Sequence, residues 1–137
     1  MDPELKRLLD REQIVDVFNR YASGIDLRDA ELYRSCFTDE LEVDLSGTGP
    51  GHCKAEEWVA QAFRAVSGFQ TTQHIITNHQ PQIREDEATC VAYLLAQHWN
   101  PENAFLVGGY YTDELVRTPE GWKIRKLVLT VTWTRNG

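Results

Sequence analysis

The chain is short of the residues that staple or metal-hold a fold. Its three cysteines, Cys36, Cys53 and Cys90, are odd in number and widely separated. That spacing fits neither a disulfide framework nor a zinc site, and suggests buried thiols in a reducing cytoplasm. The four histidines add no ligand set. His52 and Cys53 sit side by side in a loop with nothing near them to complete a coordination shell, so no metal is expected. No apolar segment reaches membrane-spanning length, and the opening residues are charged where a signal peptide would be hydrophobic. Positive charge is scarce as well. The 14 basic residues are scattered against 21 acidic ones, for a net charge of −7 and a pI near 5.0. Nothing there would neutralise phosphates, so neither nucleic acid nor an anionic membrane is an expected partner. A phosphate-binding glycine loop, a G-x-S-x-G elbow, an H-E-x-x-H helix and internal repeats are all absent.

What is present fits one globular domain over 1–137, with 42% hydrophobic and 26% charged residues. Ile14, Val17, Phe18, Tyr21 and Ile25 recur at helical spacing and give one apolar helix face. That face carries the phenol of Tyr21, and Gly24 loosens the chain just before Asp26. Upstream, Pro3 to Leu9 can form a short opening helix, and Asp10 with Gln13 has the spacing of a capping box that restarts the helix. A further helix starts at Asp26 or at Arg28-Asp29 and carries the stripe Leu32, Tyr33, Cys36, Phe37. Another spans Ala55 to Ser67. Between them, Glu40 to Leu45 alternates as a half-buried strand, and Ser46 to Gly51 has loop composition.

After Gly68 the pattern changes to β. Thr71 to Ile83, Thr89 to Trp99, Ala104 to Arg117 and Trp122 to Trp133 are rich in β-branched and aromatic residues, with links of hairpin length. The expectation is an α+β fold: three helices, four if the opening segment stands apart, followed by an antiparallel meander. Long antiparallel strands coil, so the sheet with helices across its concave side makes a cone enclosing a pocket. The strand from Thr89 to Trp99 is apolar on both faces, with Cys90, Ala92, Leu94 and Ala96 on one and Val91, Tyr93 and Leu95 on the other. A second apolar face implies a subunit interface, hence a homodimer.

Chemistry-bearing residues are few. His74, Ile76 and Asn78 share one strand face and His79 falls on the other, which places an imidazole and a carboxamide in an apolar cavity. Asp26, delivered by the helix, could reach His74, fix its tautomer and leave the second ring nitrogen as a general base or acid. Equally, Asp26 could cap the second helix and His74 could be a core histidine. His98 is in phase with the inward face of its strand, or else lies in water at the strand end. Gly108-Gly109 bends a strand so that one of Tyr110 and Tyr111 faces inside, with Tyr111 the better placed if the bend lies before it, either as a pocket residue or simply as a packing tyrosine at the bend.

The order Tyr21-x-x-x-x-Asp26, Cys36-Phe37-Thr38-Asp39, Gln73-His74-x-x-x-Asn78, Gly108-Gly109-Tyr110-Tyr111-x-Asp113 and Gly121-Trp122-Lys123-Ile124 resembles the SnoaL-like, or scytalone-dehydratase-like, family. That family belongs to the nuclear-transport-factor-2-like superfamily, and the likeness covers nearly the whole chain. It implies the cone fold and a small-molecule pocket between helices and sheet. The members nearest in pattern, scytalone dehydratases, bile-acid dehydratases and a hexachlorocyclohexane dehydrochlorinase, use an Asp–His dyad, which falls on Asp26 and His74. The dehydratase tyrosine falls on Tyr21, and a second pocket histidine on His98. Tyr21 stands where the dehydrochlorinase has a lysine and Leu127 where it has an arginine, so dehydrohalogenation is not implied. The expected activity is a cofactor-free dehydratase-type lyase for a small, mostly apolar cyclic or polyketide-like carbonyl compound, with Tyr21 and Asn78 holding its oxygen. Isomerisation, cyclisation, or a non-catalytic ligand-binding or assembly role are the alternatives on this fold.

Overall fold

Asp2 opens the first helix: its carboxylate accepts from the N–H of Glu4 at 2.8 Å, and Pro3 occupies the first turn, where no amide partner is needed. In the computed structural model, which describes residues 1–136, helix α1 then runs unbroken from Pro3 to Asp26. The expected interruption at Asp10 does not occur. Asp10 lies on the same face as Ile14, Val17, Phe18, Tyr21 and Ile25, all buried. Its carboxylate is taken by the guanidinium of Arg117, at 2.6 and 3.0 Å, rather than by a helix amide. Leu5, Leu8 and Leu9, by contrast, stay exposed.

Helix α2 is only Ala30–Arg34, capped by Asp29, whose carboxylate accepts from the N–H of Leu32 at 3.0 Å. Gly24 serves close packing rather than loosening: a Cβ there would stand 2.7 Å from the backbone nitrogen of Tyr33. Strand β1 (Phe37–Leu45) turns back through Ser46-Gly47 into β2 (Thr48–Lys54). The expected loop is therefore largely a hairpin. Both turn residues take positive φ, 53° and 88°, which is the geometry a two-residue hairpin prefers. The glycines and proline that suggested a loop sit on an exposed edge strand, where they are tolerated.

Helix α3 (Ala55–Val66) precedes four long strands: β3 (Thr71–Arg84), β4 (Glu87–Asn100), β5 (Asn103–Thr118) and β6 (Gly121–Asn136). All six strands join one sheet in the order β2-β1-β6-β5-β4-β3, antiparallel except where β1 runs parallel to β6. Register breaks at Thr77/Gln80, Gly108/Gly109 and Glu114/Leu115 bend the long strands. At Gly109 an added Cβ would collide with the Thr130 carbonyl oxygen, so the bend there requires glycine. The core fills the concave side. Ile14, Phe18 and Ile25 of α1 are buried, as are Trp58 and Val66 of α3 and Cys90, Ala92, Leu94 and Ala96 of β4. On the convex side Ile75, Tyr93, Trp99 and Trp133 are exposed. No helix among the described residues is long and apolar enough to cross a membrane. No three of their His, Cys, Asp or Glu side chains gather as a metal site.

Candidate active site

A cavity of about 360 Å³ opens between α1, α3 and the curved sheet, with Tyr21, Tyr33, His74, His98 and Tyr111 on its wall. Ile25, Trp58, Phe69, Phe105 and Leu129 make the remainder largely apolar. Its size lies at the lower end of the range of small-molecule sites.

Asp26 is the last residue of α1, and its carboxylate turns away from α2 toward β3. Oδ1 stands 2.8 Å from Nδ1 of His74 and accepts from the hydroxyl of Thr72 at 3.0 Å; Oδ2 accepts from the backbone N–H of His74 at 2.7 Å. The cap of α2 is Asp29, so Asp26 is not engaged there. A carboxylate can only accept, hence Nδ1 of His74 carries the proton and Nε2 is left with its lone pair on the cavity side. Both side chains are mostly buried, at 11% and 18% exposure, which leaves little water to compete for the bond.

His98 faces the same cavity from β4, its ring centroid 5.9 Å from that of His74. Its Nδ1 donates to the carbonyl of Phe105 at 3.0 Å, which fixes the tautomer with Nε2 free. Burial pushes its pKa below the ordinary imidazole value, and Phe69 packs on the ring at 5.0 Å. Across the cavity, the Tyr111 hydroxyl donates to that of Tyr21 at 3.1 Å. Burial raises Tyr21 to about 12, and Tyr33 and Tyr111 well above the ordinary phenol value. These phenols are neutral near pH 7 and serve as hydrogen-bond donors. Because Tyr21 accepts from Tyr111, its own proton is free for a ligand oxygen.

Asn78 is elsewhere. The alternation of β3 holds through Ile76 and then fails at a bulge between Thr77 and Gln80, where Asn78 takes φ +56°. The extra residue turns Asn78 out to solvent. His79 comes inward instead, its ring 5.3 Å from Phe18 of α1, outside the cavity lining. His79 has a lowered pKa from burial, and its buried Nε2 has no partner among the described residues. His52 is exposed on the edge strand. Four groups at the site escaped the sequence reading: Thr72, Arg28, Tyr33 and Trp58. Thr72 carried a usable signal, since it is one pleat from His74 and shares its face. Tyr33 was visible only as one member of an apolar stripe. Trp58, whose buried indole N–H finds no acceptor among the described residues, looked like any core aromatic.

Among the described residues, a cone of three helices on a six-stranded, mostly antiparallel sheet, with its cavity on the concave side, defines a nuclear-transport-factor-2-like domain. Within that superfamily, the SnoaL-like domain model matches residues 6–128, and the chain belongs to the SnoaL-like family. Among proteins of known sequence, it is 31% identical over 145 residues to the terrestric acid biosynthesis cluster protein E of Penicillium crustosum, covering 92% of this chain and 85% of that one. The crystal structure of the Kfla4162 protein of Kribbella flavida superposes with a TM-score of 0.89 at 32% identity, over 94% and 95% of the two chains. A hexachlorocyclohexane dehydrochlorinase of Novosphingobium barchaimii shares the fold, with a TM-score of 0.83 at 23% identity over 98% and 94%.

Proposed function

We propose that this protein is a cofactor-independent lyase of the dehydratase type, acting on a small, mostly apolar cyclic or polyketide-like carbonyl compound that bears a β-hydroxyl. The observation that carries the reading is the 2.8 Å contact between Asp26 Oδ1 and His74 Nδ1 on the wall of an apolar cavity. In this reading His74 Nε2 removes the proton α to the carbonyl while Asp26 stabilises the imidazolium that forms. Tyr21, polarised by Tyr111, donates to the carbonyl oxygen as it gains charge. The imidazolium then returns its proton to the departing β-hydroxyl: the C–H and C–O bonds break, a carbon–carbon double bond forms and water leaves. His98, with Nε2 as an acceptor, orients that hydroxyl by its proton. The part once expected of Asn78 falls to Tyr21, since Asn78 is in solvent. The Penicillium relative is named for a biosynthesis cluster, a setting that favours a small-molecule transformation over an assembly role. As the chain also presents an apolar convex face, we propose that it works as a homodimer.

The test is a panel of cyclic β-hydroxyketones incubated in D2O and followed by proton NMR for α-exchange and by mass for loss of one water. Exchange with water loss is expected for the parent protein. Asp26→Asn and His74→Ala should each lower the rate roughly 10² to 10⁴-fold, and the double variant should be little worse than His74→Ala. Exchange without water loss would reassign the protein to isomerisation or cyclisation. A His74→Ala protein as active as the parent would sink the catalytic reading.

A further inference from the structure

Arg28 is an unusual residue for its place. It follows the end of α1 in the left-handed region, at φ +57°, where glycine or asparagine is preferred and other side chains are strained. The turn is closed by the N–H of Asp29 on the Gly24 carbonyl at 2.8 Å, which needs only backbone. What the side chain adds is a set of three contacts. Nη1 donates to the carbonyl of Ile25 at 2.6 Å and to Thr72 Oγ1 at 2.9 Å, and Nη2 to the carbonyl of Val66 at 3.3 Å. One guanidinium therefore ties together the last turn of α1, the last residue of α3 and the second residue of β3, all beside the cavity.

The contact with Thr72 has a chemical consequence. Guanidinium can only donate, so Thr72 Oγ1 accepts from Arg28 and its single proton must point elsewhere. The acceptor within reach is Asp26 Oδ1, at 3.0 Å. Asp26 thus faces three donors, the Thr72 hydroxyl, the His74 amide and the His74 ring N–H, and none of them needs a proton from it. Thr72 is 4% exposed, so water does not stand in for either contact. Resting on the catalytic reading above, we infer that Arg28 and Thr72 are positioning residues: a directed relay that keeps Asp26 an ionised acceptor and draws part of its charge away from His74, setting how strongly the ring holds a proton.

The sign follows from the charges that face the ring. Asp26 at the end of α1 favours the imidazolium. Arg28 just beyond it opposes that form, and so does His98 on β4 when charged, while the phenols of Tyr21, Tyr33 and Tyr111 are neutral. Removing the relay leaves the full carboxylate charge to His74. Asp26 stays in place, because Oδ2 is still held by the His74 amide at 2.7 Å.

The experiment is a pH titration of the imidazoles in the full chain by long-range nitrogen–proton NMR, with signals assigned by His74→Asn and His98→Asn. Thr72→Val and Arg28→Gly should both raise the His74 midpoint by roughly half a pH unit or more. Thr72→Ser, which keeps the hydroxyl, should return it to the parent value. Arg28→Gly also relieves the left-handed backbone, so it keeps the test open if Thr72→Val does not fold. A midpoint unmoved in both variants with intact backbone spectra would reduce Arg28 and Thr72 to a structural clip, and a downward move would overturn the charge argument. No substrate is needed for this readout. If His74→Ala left α-exchange untouched while the midpoints moved as expected, catalysis would fall and the relay would stand.

Discussion

Replacing Asp10 by asparagine tests whether a buried ion pair far from the cavity holds α1 to the sheet. The Asp10 side chain is 6% exposed. It accepts two bonds from Arg117, at 2.6 and 3.0 Å, and further bonds from Lys6 at 3.3 Å and the Trp122 indole at 3.4 Å. The Arg117 bonds, outweighing burial, bring its pKa down from 3.8 to about 2. Lowering of that size corresponds to about 2 kcal/mol of folding stability. For a carboxylate with a depressed folded value, this stability is complete above about pH 4 to 5 and disappears as pH falls through about 2. Asp10→Asn also leaves Arg117 without a buried counter-charge, its remaining carboxylate partner being the exposed Asp86 at 2.9 Å, so the loss at pH 7 should be about 2 to 3 kcal/mol. For a domain of this size that is a drop in Tm of roughly 7 to 10 °C. Urea unfolding of parent and variant should be followed from pH 7 to pH 2.5. The gap in stability should be widest at neutral pH and close progressively below pH 4. A gap that stays constant to pH 2.5, or a variant as stable as the parent, would refute the assignment of the stability to charge on Asp10.

Gly24→Ala should lose about 1 to 2 kcal/mol in urea despite alanine's better helix propensity, because the new methyl meets the backbone of Tyr33 at 2.7 to 2.8 Å; an unchanged midpoint would show that α1 and α2 can part. Asn78→Gly should match or exceed the parent in stability, and Asn78→Val should lose about 1 to 2 kcal/mol at φ +56°. Both should leave turnover within roughly twofold, and a larger loss would return Asn78 to the site. Sedimentation at micromolar concentration should give a mass near twice 15.7 kDa, and Trp133→Glu on the convex face should convert it to monomer; a parent that sediments as a clean monomer would remove the interface.

The sequence made the long strands legible because their β-branched runs and hairpin links are local signals, and the structure extends each by only a residue or so at most ends. It hid what depends on partners remote in sequence. Asp10 and Gln13 have capping-box spacing, but the partner that claims Asp10 lies 107 residues away. The β1–β2 hairpin was masked by glycine and proline, which on an edge strand are compatible with pairing. At the site, the face shared by His74 and Ile76 could be read from alternation, and the bulge at Asn78 could not, since one left-handed residue shifts the phase of everything after it. Arg28 gave no signal at all. Its contacts reach three elements that only the finished fold brings together.

The unbroken helix α1 bears on how accurately Asp26 can be placed. Asp10 and Asp26 sit sixteen residues apart on one rod, about 24 Å at the rise of an α-helix. The Arg117 clamp acts near one end of that rod, and the carboxylate facing His74 is at the other. A pivot of only about 5° at the clamp would sweep Asp26 through about 2 Å, given that length. The 2.8 Å contact with His74 would not survive such a sweep. The Arg117 clamp and the buried face from Ile14 to Ile25 hold that rod along its length, so that angular play at its remote end would become misalignment at the cavity.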